Sequence, residues 1–414
     1  MKKFLSQSII FLSFYFFIFS KTVAQSVGIN ATGALPNAAA ILHVDAGTST
    51  TTGLLVTGTY NATGTVPDLG GGSRLMFYPA KAAFRAGQVD GTGWNNVNVG
   101  EYSTAMGYNP VASGTSSIAI GQNSLASGTA STAIGYNNLA SGASSTALGR
   151  FTSATGSYAT ALGVNSTASG LASSAFGDNT IASGTSSTSM GKNTTASGYI
   201  STALGENTIA SGSNSTAMGS SVSATRTGSF IIGDQLGTGT SSSADNQMTM
   251  RFSGGFRMFA NSTATTGVFL TANGNAWVST SDRNRKENFE SLDGEDVLKK
   301  MSKIEFTSWN YKQQDPKVYR HYGIMAQDFY KAFGHDRFGT IGNDTTVNPI
   351  DMIGIDMTAI RALEKRTADL KNENESLKVT VSELQKKFTE QQKLLEQILN
   401  STNKPQKTTV FSKP

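Results

Sequence analysis

The chain has 414 residues, of which 38% are apolar and only 15% charged, well below the roughly one-quarter charged content of ordinary globular domains. It has no cysteine, which excludes disulfides, thiolate metal sites and a lipid-anchored lipoprotein. Net charge is +5 and dispersed, with 11 basic and 8 acidic residues before Ser281, so nothing resembles a nucleic-acid footprint and no nucleic-acid partner is expected.

The first residues read MKKFLSQSIIFLSFYFFIFSKTVAQS. Lys2 and Lys3 give a basic start, residues 9–19 a short apolar run, and Thr22 and Ala24 a small-residue cleavage site. This pattern predicts a signal peptide over residues 1–24 and export to the cell surface or beyond. The apolar run is short against the ~20 residues of a membrane span. No later stretch is apolar enough, so no transmembrane segment is expected once the signal is removed.

Residues 25–100 read as a β-rich cap or stalk. Alternation in ILHVDA and GLLVTGTY predicts short strands broken by Gly-rich loops. His43 stands alone beside apolar residues and reads as structural.

From residue 101 to 233 the chain repeats every fourteen residues. Glycines recur at Gly107, Gly121, Gly135 and onward to Gly233, and a second series runs from Gly114 to Gly212 halfway between. Such a period marks a stacked repeat architecture. Glycine tolerates positive φ, so each series predicts tight turns, with strands too short to be helices between them. An alanine such as Ala105, Ala119 or Ala133 precedes a large aliphatic residue such as Met106, Ile120 or Ile134. Neighbouring strand residues face opposite ways. One face is therefore small and suits a narrow interior. The other is an aliphatic ladder that needs a further surface to bury against. At a strand spacing of ~4.8 Å the coils would stack into a rod of roughly 40 Å.

The unit STAIGYNNLASGAS resembles the head repeats of YadA-type trimeric autotransporter adhesins. The resemblance implies a left-handed parallel β-roll, a homotrimer, and the aliphatic ladder near the threefold axis. Arg226 stands where the second series expects glycine, and SFIIG closes the repeat. The C-terminal membrane barrel of that family has no counterpart here. Between Glu101 and Ala224 the charged residues are Glu101, Arg150, Asp178, Lys192 and Glu206, which form no cluster in the sequence. That opposes a polysaccharide-cleaving site, which needs paired carboxylates, and a calcium-binding repeat. The Ser/Thr surface reads as a solvated polar face.

Residues 234–280 read as a β-rich connector. The composition then changes abruptly at SDRNRKENFE, where Asp282, Arg283, Arg285, Lys286, Glu287 and Glu290 follow Ser281. Residues 281–356 predict a small α/β domain. DVLKKMSKIEFTSWNY reads as helix then strand, and VYRHYGIMAQDFYKAFG as a strand ending near Gly323 then a helix from about Ala326. Over 357–400 apolar residues alternate at spacings of three and four, as at Ile360, Leu363, Leu370, Leu377, Val381 and Leu384. That is the seam of a coiled coil, and Asn374 within it is suited to fixing register and strand number. Residues 401–414 read as a disordered tail.

SDRNRKENF, FTSWNY, HYGIMAQDFYKAF and GIDMTAIRALEK, in that order, are similar to the C-terminal intramolecular chaperone domain of endosialidase-type tailspikes, a family of self-cleaving serine peptidases. The resemblance implies that the domain drives trimerisation and then cuts between Thr280 and Ser281. It also implies a catalytic dyad of Ser281 and Lys286, acting once on its own chain. A serine hydroxyl needs a neighbouring base. A lysine serves as one only when burial or nearby cations favour its neutral form. Arg283 and Arg285 would help; Asp282 would oppose unless it pairs with an arginine. The family's common form is Ser-Asp-x-Arg-x-Lys, and Asn284 stands here in the arginine position.

Neither pattern calls for a cofactor or a metal. The expected protein is a secreted, mainly β homotrimeric fibre or adhesin, with an unidentified host or extracellular surface ligand. Two alternatives stay open. One is an uncut fibre with the C-terminal domain as a permanent trimerisation foldon. The other is a phage tail-fibre-like receptor-binding protein, against which the signal peptide argues. His321 is a candidate beside the dyad, although a structural role fits it better.

Overall fold

The computed structural model describes residues 27–30, 33, 35–37, 39–48, 53–236 and 239–403. The expected signal peptide and most of the expected tail lie outside them. The chain divides into two compact units, residues 1–279 and 280–414.

The first unit is built on the fourteen-residue repeat. Each turn contributes one five-residue strand and one two-residue strand, for example Thr146–Arg150 and Ser153–Ala154. The long strands stack in parallel in a sheet of 13 strands, the short ones in a facing sheet of 10. Register advances by one whole repeat per strand, so that Ala147 pairs with Ala161 and Leu148 with Leu162. The repeat region is thus a β-roll, as its period demands. Ala147 and Ala161 from the long strands and Ala154 and Ala168 from the short ones are fully buried in the interior. The aliphatic row faces outward and stays substantially exposed, Met190 at 41% and Leu148 at 38%.

The glycines do something other than turn the chain. The corners with left-handed backbone are held by non-glycine residues, Asn165 at φ 51° and Tyr158 at φ 59° among them. Asparagine recurs at one such corner, as at Asn123, Asn137, Asn179, Asn193 and Asn207, because its short polar side chain tolerates that conformation. The first series does take positive φ, as at Gly107 (121°) and Gly219 (110°), but within strands rather than at corners, and both series are required by the closeness of the next coil. A Cβ on Gly156 would fall 2.0 Å from the carbonyl oxygen of Gly170. Gly163, within a strand at φ +117°, would clash likewise with Gly177. Arg226 escapes this rule because the last turn is longer: Phe230 pairs with Met248 and Val222 with Thr240, four residues beyond the usual step.

Both ends of the roll are closed by arginine. Arg85 occupies the alanine row, opposite Ala105, and is fully buried. It donates to the carbonyls of Phe84, Ser103 and Ala112 and to the Ser103 hydroxyl at 2.8–3.0 Å. Burial pushes its guanidinium down to about 10, which leaves it charged at neutral pH. At the other end Arg251 pairs with Asp234 at 3.0 Å and donates to the carbonyls of Asp234 and Leu236. A guanidinium brings several donors at once; the Ser103 and Ala112 carbonyls, which already accept the N–H of Phe84 and Gly100, each gain a second bond from Arg85.

Ahead of the repeats, an antiparallel pair, Gly72–Tyr78 and Ala83–Val89, joins the long sheet, its second strand running parallel to Thr104–Tyr108. Leu42–Asp45 forms a strand, paired with Val27–Asn30. GLLVTGTY does not: residues 53–60 have no strand, and Leu54 and Leu55 are exposed. Alternation there lacks a neighbouring edge to pair with, so the strand expectation fails. His43 accepts a bond from the backbone of Asn37. After the roll, Gly255–Phe259, Gly267–Thr271 and Val278–Ser279 form a three-stranded antiparallel sheet.

The second unit follows the expected order of helix, strand, strand, helix. Helix α1, Gly294–Met301, starts at Asp293, whose carboxylate accepts the N–H of Glu295. Strands Thr307–Trp309 and His321–Gly323 pair antiparallel, and helix α2 spans Ala326–Phe333. Helix α3, Pro349–Thr402, is capped by Asn348 with proline in its first turn. Val297, Phe333 and Ala359 make the buried core of this unit. Beyond Ala362 every described residue of α3 is exposed, Leu384 at 60% and Phe388 at 62%.

Candidate functional site

The segment Thr280–Lys286 forms a compact local structure. Asp282 caps a single 3-10 turn, Arg283–Arg285, by accepting the N–H of Asn284 at 2.9 Å. The turn reverses the chain. Lys286 then leaves in extended conformation, its N–H bonded to the Arg283 carbonyl at 3.2 Å. This brings the Lys286 side chain back over the start of the segment. Lys286 Nζ donates to Ser281 Oγ at 2.7 Å. The residues of the expected dyad are therefore in direct contact, and the five-residue spacing is what one short turn needs to return a lysine to a serine.

The other named residues surround this pair. Asp282 Oδ1 also accepts from the Asn284 side-chain amide at 3.2 Å, and Oδ2 faces Arg285 Nε at 3.8 Å. Arg283 stacks over the Phe289 ring at 4.8 Å. Glu290 pairs with Arg337 at 3.5 Å. Among the described residues no carboxylate pairs with Lys286. Thr280 is half-buried, whereas residues 281–290 are all exposed in the single chain. On the amino side, Val278–Ser279 is an edge strand paired to Val268 and Phe269. The residues just before Thr280 are thus held extended.

His321 packs among aromatic rings. Its ring stacks on Trp309 at 4.7 Å and meets Tyr311 edge-on at 5.7 Å. His335 lies against Tyr330 at 5.2 Å. A cavity of about 780 Å³ lies between Ser291–Glu295 and the start of α3, lined by Asp293, Glu295, Arg361 and Lys365 among others, and it includes neither Ser281 nor Lys286. Among the described residues no group of three or more His, Cys, Asp or Glu could hold a metal. Nor is any described helix long and apolar enough to cross a membrane.

One arrangement in the roll was missed by the sequence reading. Arg150, Asp178, Lys192 and Glu206, scattered along the sequence, fall in a single row through the register Arg150–Val164–Asp178–Lys192–Glu206. Lys192 and Glu206 form an exposed ion pair at 3.5 Å. Arg150 lies over Tyr136 and Phe151. The signal was present, since their separations are multiples of fourteen. The row still lacks the paired carboxylates of a hydrolytic site.

Two protein-family models match the chain. The YadA head domain repeat model matches residues 99–124, 126–152, 154–180, 182–199 and 201–221. The chaperone of endosialidase model matches residues 281–335. No curated protein matches the chain. The chain therefore carries YadA head domain repeats followed by a chaperone of endosialidase domain that opens on Ser281.

Proposed function

We propose that the protein is an exported, homotrimeric fibre or adhesin of the cell surface whose C-terminal domain drives trimerisation and then cuts itself off between Thr280 and Ser281. The observation that carries the reading is the 2.7 Å contact between Lys286 Nζ and Ser281 Oγ at the first residue of the matched chaperone segment. The division into signal, cap, roll, connector, chaperone, coil and tail belongs to the same proposal.

Association is supported by two uncovered apolar surfaces. One is the aliphatic ladder of the roll. The other is the α3 seam, exposed along its whole length in a single chain. An isolated helix with such a seam has nothing to bury it against, and a parallel trimer would supply that surface. Along the repeats each strand pairs with one fourteen residues on, and the repeats are alike, so a coil can pair a whole repeat out of step and the roll is prone to slipped register. Three chains held at one end by their coils start in register. Removing the coils afterwards leaves a rod with no easy route back.

The cut follows from the position of the nucleophile. Ser281 is the residue immediately after the scissile bond, so its Oγ attacks the carbonyl carbon of its own preceding peptide. Lys286, as the neutral amine, takes the hydroxyl proton. The Thr280 C–N bond breaks, and the Ser281 nitrogen leaves with a proton returned by Lys286. Thr280 is then esterified to Ser281 Oγ. Water hydrolyses the ester, leaving a carboxylate on Thr280 and a free amine and hydroxyl on Ser281. An amine in open water is a poor base at neutral pH. Covering of this exposed segment by neighbouring copies would make cleavage follow assembly.

The test is intact mass and denaturing electrophoresis on the full chain and on Ser281→Ala and Lys286→Ala. The expected outcome is a single cut at Thr280–Ser281 in the parent and none in either variant. A parent that assembles as a trimer and stays whole would leave the uncut foldon as the better account. A cut in all three would remove the dyad.

A further inference from the structure

Asp282 sits beside the nucleophile and four residues before Lys286, and its carboxylate is the natural competitor for that amine. An ammonium paired with a carboxylate stays charged and turns away from the serine. In the structure this does not happen, because Asp282 is already occupied. One oxygen takes both the backbone N–H and the side-chain amide of Asn284, at 2.9 and 3.2 Å, and the other faces Arg285 at 3.8 Å. Lys286 is left to Ser281 at 2.7 Å.

We infer that Asn284 is a positioning residue for the self-cleavage: its side-chain amide holds the Asp282 carboxylate away from Lys286 so that the amine stays on Ser281. The inference rests on the cleavage reading above. It explains why asparagine can stand where an arginine is the commoner choice. Both side chains donate N–H groups to a carboxylate, the arginine as an ion pair and the asparagine as a neutral bond. The backbone bond from Asn284 survives its replacement by alanine or arginine. The side-chain bond adds a second tether to the same oxygen, which together with Arg285 on the other fixes the rotation of the carboxylate.

The experiment follows the cleavage rate of the full chain by intact mass, with trimer formation measured alongside by native mass spectrometry. Asn284→Ala should cut about tenfold more slowly than the parent, the effect of losing one hydrogen bond, while still forming trimers. Asn284→Arg should cut at least as fast as the parent. Adding Asp282→Asn to Asn284→Ala removes the competing charge and should restore the rate. A role confined to stabilising the turn predicts no rescue, because asparagine at position 282 caps the turn about as well as aspartate and leaves the lost side-chain bond unrestored. The inference is overturned if Asn284→Ala matches the parent, if Asn284→Arg is as slow as Asn284→Ala, or if the double variant is no faster than Asn284→Ala. A parent that is not cut at all overturns the cleavage reading itself. Slow cutting in Asn284→Ala with the parent intact in rate and rescued by Asp282→Asn supports both.

Discussion

Replacing Gly163 by alanine tests the reason for the glycine series. Gly163 sits in a long strand at φ +117°, and an added Cβ would lie 2.1 Å from the carbonyl oxygen of Gly177 in the next coil and 2.9 Å from its carbonyl carbon. Two costs follow. An L-residue held in that backbone region costs about 1–3 kcal/mol. Relieving the overlap must separate two strands that pair from Thr160 to Val164 with Ser174 to Asp178, which leaves buried backbone groups poorly bonded at about 1–3 kcal/mol. The sum, about 4 kcal/mol per chain, is a large part of the stability of an ordinary domain. It should lower the melting temperature of the roll by roughly 10 °C. Circular dichroism melts at the strand signal measure it. Gly354→Ala is the control, since a Cβ there meets nothing within 4 Å and α3 should gain about 1 kcal/mol of helix propensity. A Gly163→Ala melt within 2–3 °C of the parent would show that the glycines are not demanded by coil spacing.

Arg85→Ala should destabilise the roll by about 3 kcal/mol, because it removes four hydrogen bonds to Phe84, Ser103 and Ala112 and leaves a void at the first coil; hydrogen exchange should show the loss concentrated at that end. The Ser253 hydroxyl and N–H, helped by Arg251, hold the Asp234 carboxyl below the usual carboxylate range. Its contribution is therefore full above the unfolded value near 4 and is lost as pH falls through the lowered folded value. Asp234→Asn should flatten the melting-temperature profile in that acid window, with its loss of stability full at neutral pH and smallest at the acid end. Phe388→Asp places a charge in the exposed α3 seam and should convert the trimer to monomer in light scattering; an unchanged trimer would move association elsewhere. Asn138, buried in the roll, bonds the Ile134 and Gly149 carbonyls and both the N–H and hydroxyl of Thr152, so Asn138→Ala should cost more than Ser124→Ala, whose hydroxyl makes one bond at 3.2 Å.

The sequence alone determined the repeat, its two faces and the change of character at Ser281. A period of fourteen with alanine beside a large aliphatic leaves few ways to bury the small side and expose the other. The spacing of Ile360, Leu363, Leu370 and Leu377 likewise dictates a helix with one apolar seam, since 3.6 residues per turn fixes which residues share a face. What the tertiary structure decided was whatever depends on the neighbouring coil or the reversing turn. The glycines at Gly156 and Gly163 exist for the backbone of the next coil rather than for corners, which fall to Asn165 and Tyr158. Arg150, Asp178, Lys192 and Glu206 became one row only when register laid strand on strand. Residues 53–60 alternate like a strand yet find no edge to pair with. At the start of the second unit the sequence named Ser281 and Lys286. The turn between them decided that the lysine meets the serine while Asn284 and Arg285 occupy the aspartate, because only a fixed backbone reversal says which of several nearby charges touch.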